Sequence, residues 1–172
     1  MRNLFFLLLS LMIFSACEPV ASGNDQTVDT ASTTIFLVRH AEKETGDDPG
    51  LTPEGLARAQ KLAEMLSKVE VDAVFSTNYR RTRLTAEPVA QQNELTIEQY
   101  DPKDLPAFAE QLKERFAGKT VLVVGHSNTT PTLTGHLDGV ASFAPFDESD
   151  YGNLMQVVIP PAGPAKTLQL RF

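Results

Sequence analysis

Three clusters of polar residues in this chain carry side chains that could do chemistry. They are Arg39 with His40, the segment 76–83 (STNYRRTR) and the segment 126–128 (HSN). The clusters contain two histidines and several arginines, and no set of residues in them has the spacing of a metal site. Guanidinium groups match a phosphate in geometry as well as in charge, and a histidine can act as a nucleophile. The residue types therefore predict a site that binds a dianion and transfers a phosphoryl group.

Each cluster follows a segment that is predicted to be a buried strand. These segments are 33–38, 71–77 and 120–124, and the last is the most hydrophobic of the predicted strands. The first is rich in strand-forming residues and lacks a period of two, as expected for a parallel strand that is buried on both faces. Helices are predicted from Thr52 to about Val69, from about 79 to 92, from Asp101 to Gly118 and from Thr130 to Leu137, with further strands at 95–99, 156–159 and 167–171. This alternation predicts an α/β fold of three layers, with helices on both faces of a mostly parallel central sheet. Such sheets bind ligands at the carboxyl ends of their strands, where the polar clusters would meet.

The first sixteen residues are predicted to be an export signal. Arg2 precedes an apolar stretch from Leu4 to Phe14, which is shorter than the ~20 apolar residues of a transmembrane helix. Cys17, the only cysteine, follows Ser15 and Ala16 in a pattern that resembles a bacterial lipobox. We expect a signal peptide at 1–16, an acylated Cys17 opening a flexible tether at 17–32, and one folded domain at 33–172. A plain secretory signal with an incidental thiol is the alternative.

The charge of the chain limits its partners. The chain has 15 basic and 22 acidic residues, and its formal net charge is −7. This negative charge makes nucleic acid an unfavourable partner. An anionic substrate would have to bind through a local basic cluster. The expected partners are a small phosphorylated substrate and, through the lipid at Cys17, the membrane of a bacterial cell envelope, with the domain facing the periplasm or the cell surface.

Four segments resemble, in the right order, the motifs of a known family. RHA at 39–41 stands where that family has Arg-His-Gly, and LTPEG at 51–55 resembles its Leu-Thr-x-x-Gly. STNYRRTRLTA at 76–86 resembles its arginine segment, and VLVVGHSN at 121–128 resembles the strand and loop that carry its second histidine. The chain thus resembles the histidine phosphatase superfamily, the phosphoglycerate mutase-like group, over almost the whole predicted domain.

The resemblance implies a reaction and a set of roles. It implies hydrolysis of a phosphomonoester, or of a phosphoanhydride or phosphohistidine, through a phosphohistidine intermediate on His40, with no metal and no cofactor. Arg39 and Arg81 would hold the phosphoryl oxygens, and His126 would donate a hydrogen bond to the transferring group. Counting back from Thr85 within the family segment selects Arg81 among the neighbouring arginines.

The rim of the site and the proton donor are less well specified. Lys43 and Asn128 are further candidates for phosphate binding. One branch of the family has an aspartate directly after the second histidine, where this chain has Ser127. The other branch uses a glutamate after the arginine helix, for which Glu98 is a candidate, and Glu42 is a second candidate. The sequence leaves the general acid unassigned between them.

Three other interpretations stay open. The chain could be a lipoprotein that binds a phosphate ligand without turnover, since the general acid is unassigned. It could be a phosphomutase, although an exported mutase would lack its metabolic substrates. It could be a serine esterase with Ser127 as the nucleophile, but the final glycine of G-x-S-x-G is missing and His136 is the one histidine that follows the serine.

Overall fold

The computed structural model describes residues 31–139 and 143–172. Its elements, in chain order, are β1 (Thr33–Arg39), α1 (Pro53–Met65), β2 (Ala73–Ser76), α2 (Arg80–Gln92), β3 (Ile97–Gln99), α3 (Leu105–Arg115), β4 (Thr120–Gly125), α4 (Thr129–Asp138), β5 (Asn153–Ile159) and β6 (Lys166–Arg171). The expected signal peptide, Cys17 and all but the end of the tether lie outside the described residues, so the predicted division of the chain stays a prediction. Within those residues, no helix has the length and hydropathy needed to cross a membrane.

The strands form a single six-stranded sheet in the order β3-β2-β4-β1-β5-β6. The pairs β2–β3, β2–β4 and β1–β4 are parallel, whereas β5 is antiparallel to β1 and β6 is antiparallel to β5. The expected mostly parallel α/β sheet is therefore confirmed. In the register of β1 and β4, Arg39 pairs with Gly125, so the two strands deliver His40 and His126 to the same edge.

The core explains why the central strands show no alternation in their sequence. Ile35 and Leu37 of β1 pack in one apolar cluster with residues of α3 and α4, whereas Phe36 and Val38 pack in another with residues of α1 and α2. Both faces of the sheet are covered at β1, so the five successive side chains from Ile35 to Arg39 are all buried. This confirms the predicted three layers.

The first helix begins as the sequence predicts. Thr52 is its N-cap, and the Thr52 hydroxyl oxygen accepts a hydrogen bond from the backbone N–H of Gly55 at 3.1 Å. Pro53 occupies the first turn, where it costs no hydrogen bond. Thr52 also donates its N–H to the carbonyl of Glu42 at 3.0 Å, which fixes the start of α1 against the segment that follows β1.

The third helix begins later than the sequence predicts. Asp104 is its N-cap and accepts a hydrogen bond from the N–H of Ala107, whereas Asp101 accepts one from Lys103 in the turn before it. The turn in which Asp101 accepts the N–H of Lys103 takes up residues 101–103, so the helix begins only after it. The expectation of a helix from Asp101 is therefore wrong by one turn.

Candidate active site

A cleft of about 450 Å³ opens at the carboxyl ends of β1, β2 and β4. Its lining contains the residues that the sequence analysis proposed as the nucleophile and for binding the phosphoryl group: Arg39, His40, Lys43, Arg81, His126 and Asn128. The lining also includes Tyr79, Ser127 and Glu148. The three polar clusters thus meet at one edge of the sheet.

His40 is held as a neutral imidazole with one free nitrogen. The side chain is only 3% exposed, and its Nδ1 lies 2.8 Å from the backbone oxygen of Ala41. A carbonyl can only accept, so Nδ1–H is the donor and Nε2 carries the lone pair. Burial is the main cause that lowers the pKa of His40 to about 4; the Ala41 hydrogen bond opposes it, and the positive charges of Arg39 and Arg81 lower the pKa further. At neutral pH, Nε2 is therefore unprotonated, as an attacking nitrogen would have to be.

Arg39 is fixed by a loop that joins α4 to β5. Its guanidinium is 2% exposed, and Nη1 donates to the carbonyl oxygens of Asp147 and Glu148 at 2.9 and 3.0 Å. Nη2 donates to Oε2 of Glu148 at 2.8 Å, and the guanidinium lies 4.2 Å from the ring centroid of Tyr151. These contacts hold a buried cation beside His40 in one orientation.

Arg81 enters the cleft from the first turn of α2. Its Nη2 lies 3.5 Å from Nδ1 of His126, its Nη1 lies 3.9 Å from Oδ1 of Asp48, and its guanidinium lies 4.4 Å from the ring centroid of Tyr79. The neighbouring Arg80 is exposed. The structure therefore places Arg81, and not Arg80, at the cleft.

Both cleft arginines keep a donor free. Among the described residues, Nε of Arg39 and Nε of Arg81 are buried and have no hydrogen-bond partner. A buried N–H without an acceptor costs free energy comparable to a lost hydrogen bond. An oxyanion in the cleft would supply acceptors for groups of this kind.

His126 is oriented by a chain of threonines. Its Nε2 lies 3.0 Å from Oγ1 of Thr77, which lies 3.0 Å from Oγ1 of Thr82. The Thr82 hydroxyl is within 2.9 Å of the carbonyls of Thr77 and Tyr79, so it donates to a carbonyl. Thr77 then donates to Thr82 and accepts from Nε2–H, which leaves the lone pair of His126 on Nδ1, toward Arg81.

The environment of His126 lowers the pKa of its ring, as the environment of His40 does. Burial, and then the charges of Arg81 and Arg39, lower the pKa of His126 to about 4. The ring centroids of the two histidines lie 5.6 Å apart. At neutral pH the cleft therefore contains two neutral imidazoles and two guanidinium cations.

The two carboxylates suggested as proton donors lie elsewhere. Glu42 accepts hydrogen bonds from Nε and Nη2 of Arg58 at 2.6 to 3.0 Å, and Glu98 pairs with Arg115 at 3.3 Å. Neither lines the cleft. Their positions disagree with the role of general acid, because each carboxylate is paired with an arginine outside the site.

Glu148 is the acidic side chain that the sequence analysis missed. Among the described residues that line the cleft it is the only carboxylate. Its Oε1 accepts a hydrogen bond from the Ser127 hydroxyl at 2.6 Å. Ser127 has no histidine among its partners in the described part of the chain, and His136 is exposed on α4. This arrangement lacks the base that a serine esterase needs.

The two buried histidines predict a loss of stability in mild acid. The pKa of an unfolded histidine is about 6.5, whereas His40 and His126 have pKa values lowered to about 4, so the unfolded chain binds more protons between these values. The stabilisation is present in full above pH 6.5 and is lost as the pH falls toward about 4. The free energy of unfolding in urea should therefore be lower at pH 5 than at pH 7. His40→Ala removes one titrating group and should reduce this difference; an unchanged difference would contradict the assignment.

No group of three or more histidine, cysteine, aspartate or glutamate residues within 31–139 and 143–172 is arranged to hold a metal ion. The basic side chains that line the cleft are Arg39, Lys43 and Arg81.

Comparison with known proteins finds similarity to the part of the chain that contains Arg39, His40 and Arg81. Residues 35–102 match the model of the histidine phosphatase superfamily (branch 1). Phosphoserine phosphatase 1 of Hydrogenobacter thermophilus is 35% identical over 71 residues, which are 37% of this chain and 34% of that protein. The match thus spans about a third of the length of this relative.

Solved structures share the fold. The protein histidine phosphatase SixA complexed with tungstate superposes with a TM-score of 0.64 at 20% identity, over 80% of this chain and 96% of that one. A putative alpha-ribazole-5'-P phosphatase from Escherichia coli has a TM-score of 0.66 at 17% identity, over 81% of this chain and 96% of that one. The architecture described above is therefore that of a known group of proteins.

Proposed function

We propose that this chain is a member of the histidine phosphatase superfamily, whose model matches residues 35–102, and that it is a phosphatase in which His40 takes the phosphoryl group from the substrate and passes it to water. The observation that carries the proposal is the unprotonated Nε2 of His40, which lies in a cleft lined by Arg39 and Arg81. A nucleophile beside two fixed cations suits attack on a phosphate dianion, since the cations offset the repulsion between the anion and the incoming lone pair.

In the first step, Nε2 of His40 attacks phosphorus and the bond to the leaving group breaks. The hydrogen bond from Nδ1–H to Ala41 keeps the attacking nitrogen unprotonated and stabilises the charge that the ring acquires. In the second step, water attacks phosphorus, and the electron pair of the N–P bond returns to Nε2. The result is inorganic phosphate and a regenerated His40.

Arg39, Arg81 and His126 stabilise the transferring group. The free N–H groups of the two arginines are donors for the phosphoryl oxygens. A bound dianion favours protonation of His126 at Nδ1, because an adjacent negative charge raises the pKa of an imidazole. His126 then donates a hydrogen bond to the phosphoryl group, and Lys43 and Asn128 add polar contacts at the rim. These groups supply the charge stabilisation that a metal provides in other phosphoryl-transfer sites.

The substrate class that we propose is a phosphomonoester. The relatives are named for phosphoserine, a protein phosphohistidine and alpha-ribazole-5'-phosphate, and they share the phosphoryl group but not the leaving group. Tungstate in the SixA structure is an oxyanion of similar shape to phosphate. Anchoring of the domain to a bacterial envelope through Cys17 stays a prediction from the sequence.

The test measures turnover of p-nitrophenyl phosphate by the purified chain in excess EDTA. A label on the phosphoryl group of the substrate is followed into the protein. We expect turnover that survives the chelator, and a label that is stable in alkali and lost in mild acid, as for a phosphohistidine. Loss of turnover with EDTA would contradict the metal-free mechanism. Tight binding of inorganic phosphate without turnover would favour the binding-protein interpretation.

A further inference from the structure

The proposed reaction leaves one proton without a donor. When the bond between phosphorus and the leaving oxygen breaks, the electron pair goes to that oxygen, which becomes a poor leaving group unless it is protonated. Later, the attacking water must lose a proton. Among the described residues that line the cleft, Lys43 is exposed at the rim, and the two histidines and two arginines already have roles at phosphorus. One acidic side chain remains there, and it is Glu148.

We propose that Glu148 is the general acid and base of this site, an inference that rests on the proposed phosphatase function. Protonated Glu148 gives its proton to the leaving oxygen as the N–P bond to His40 forms and the P–O bond breaks. The resulting carboxylate then takes a proton from the water that attacks phosphorus. The N–P bond breaks, its electron pair returns to Nε2, and Glu148 is again protonated.

The contacts of Glu148 place its carboxyl group beside the phosphate-binding cation. Oε2 accepts from Nη2 of Arg39 at 2.8 Å, and Oε1 accepts from the Ser127 hydroxyl at 2.6 Å. Arg39 is buried, whereas the Glu148 side chain is 80% exposed. The carboxyl group thus lies on the open side of the guanidinium, where a leaving group would project from a bound phosphoryl group toward solvent.

The backbone of Glu148 is fixed more firmly than its exposure suggests. Its own carbonyl oxygen accepts from Nη1 of Arg39 at 3.0 Å, as does the carbonyl oxygen of Asp147 at 2.9 Å. Ser127 is also tied to this loop, because its backbone oxygen accepts from the N–H of Phe146 at 2.9 Å. The backbone that carries the Glu148 side chain is therefore held by hydrogen bonds to two residues of the cleft, Arg39 and Ser127.

Substrate binding changes the charge balance around Glu148. In the free protein, the hydrogen bond from Ser127 and then the charge of Arg39 lower its pKa, so the side chain is a carboxylate at neutral pH. The other cations that face the cleft are Lys43 and Arg81, while His40 and His126 are neutral at that pH. A bound phosphoryl group takes hydrogen bonds of Arg39 and brings a like charge next to the carboxylate, and both effects raise the pKa.

The substrate can itself supply the first proton. The second pKa of a phosphomonoester is about 6, so a large fraction of the substrate is a monoanion in mildly acidic solution. Two neighbouring anions share one proton, as paired carboxylates do. Binding of the monoanion therefore protonates Glu148, and this proton is the one that Glu148 gives to the leaving oxygen in the first step.

The test is the dependence of Glu148→Gln on the leaving group. Glutamine keeps the shape and one acceptor oxygen for Arg39 but cannot donate an acidic proton. We expect kcat/KM to fall at least about 100-fold for an alkyl phosphate such as glycerol 2-phosphate, which needs the acid, but less than about fivefold for p-nitrophenyl phosphate, which needs it least. Phenyl phosphate should lie between them.

The matched control is Glu64→Gln on α1, which makes the same change of side chain at a distant position. Glu64 is exposed and does not line the cleft. We expect kcat/KM to stay within about twofold of the wild type for all three substrates.

The outcomes that would overturn this inference alone differ from the outcome that would overturn the proposed function. An equal fall for all three substrates would mean that Glu148 acts only through the position of Arg39. A rise for all three would mean that its carboxylate merely competes with the substrate for Arg39. Absence of turnover in the wild type with every substrate would overturn the phosphatase function and this inference together, whereas wild-type turnover with a flat Glu148→Gln profile would overturn the inference alone.

Discussion

His40→Ala is expected to lower kcat for p-nitrophenyl phosphate by about 10⁴-fold or more. Alanine removes the nitrogen that forms the N–P bond, and no other unprotonated nitrogen in the described cleft is oriented by a backbone carbonyl as Nε2 of His40 is. Arg39 and Arg81 would still bind the phosphoryl group, so direct attack by water would leave a small residual rate. Steady-state kinetics measures the loss, and calorimetry with tungstate measures the binding that remains.

Two histidine variants serve as controls for this prediction. His136 is exposed on α4 and does not line the cleft, so His136→Ala should keep kcat within about twofold of the wild type. His126→Ala should lower kcat by about 10² to 10³-fold, as the loss of one donor to a charged transition state does elsewhere, and should still form the labelled phosphoprotein. A His40→Ala variant that keeps more than about 1% of the wild-type kcat would exclude His40 as the nucleophile.

The arrangement of the cleft could be predicted from the sequence because it depends on strand ends. His40 follows β1 and His126 follows β4, and the two strands are parallel neighbours whose last paired residues are Arg39 and Gly125. An apolar run that stops at charged residues is a local pattern. A parallel sheet gathers such ends at one edge, whatever the details of the loops.

The choice of Arg81 over Arg80 could also be predicted from the sequence, for a different reason. Helical geometry separates neighbouring residues by about 100°, so Arg80 and Arg81 cannot face the same site from one helix. Family resemblance decided between them, and the structure has Arg81 in the cleft lining and Arg80 exposed. Periodicity alone would have left the choice open.

The contacts that hold Arg39 could not be predicted from the sequence. The carbonyls that hold its Nη1 belong to a loop more than 100 residues further along the chain, and that loop has neither apolar periodicity nor a motif. Glu148 was missed for the same reason. Glu42 and Glu98 are candidates for the general acid in the sequence because they lie near motif residues along the chain. In the structure they pair with Arg58 and Arg115. Proximity along the chain is a poor guide to which carboxylate faces a cleft.

Gly55→Ala is expected to lower the free energy of unfolding by about 2 to 4 kcal/mol. In a helix, alanine is normally favoured over glycine by about 1 kcal/mol, so helix propensity alone predicts the opposite sign. A Cβ atom at this position would overlap the carbonyl oxygen of Glu42, which is backbone and cannot rotate away. That carbonyl also accepts the N–H of Thr52, the N-cap of α1. Urea unfolding at pH 7 measures the change.

The overlap at Gly55 should also affect the cleft, because Glu42 lies two residues after His40. Moving Glu42 to make room for a methyl group moves the carbonyl of Ala41 that orients the His40 ring, so kcat should fall in the fraction of Gly55→Ala that remains folded. Gly50→Ala is the matched control: its Cβ would lie 3.5 Å from the Arg80 side chain, an ordinary contact, and stability should change by less than about 1 kcal/mol. A Gly55→Ala variant at least as stable as the wild type would show that helix propensity outweighs the close approach. The glycine of the Leu-Thr-x-x-Gly segment would then have no steric reason to lie against the strand that presents His40.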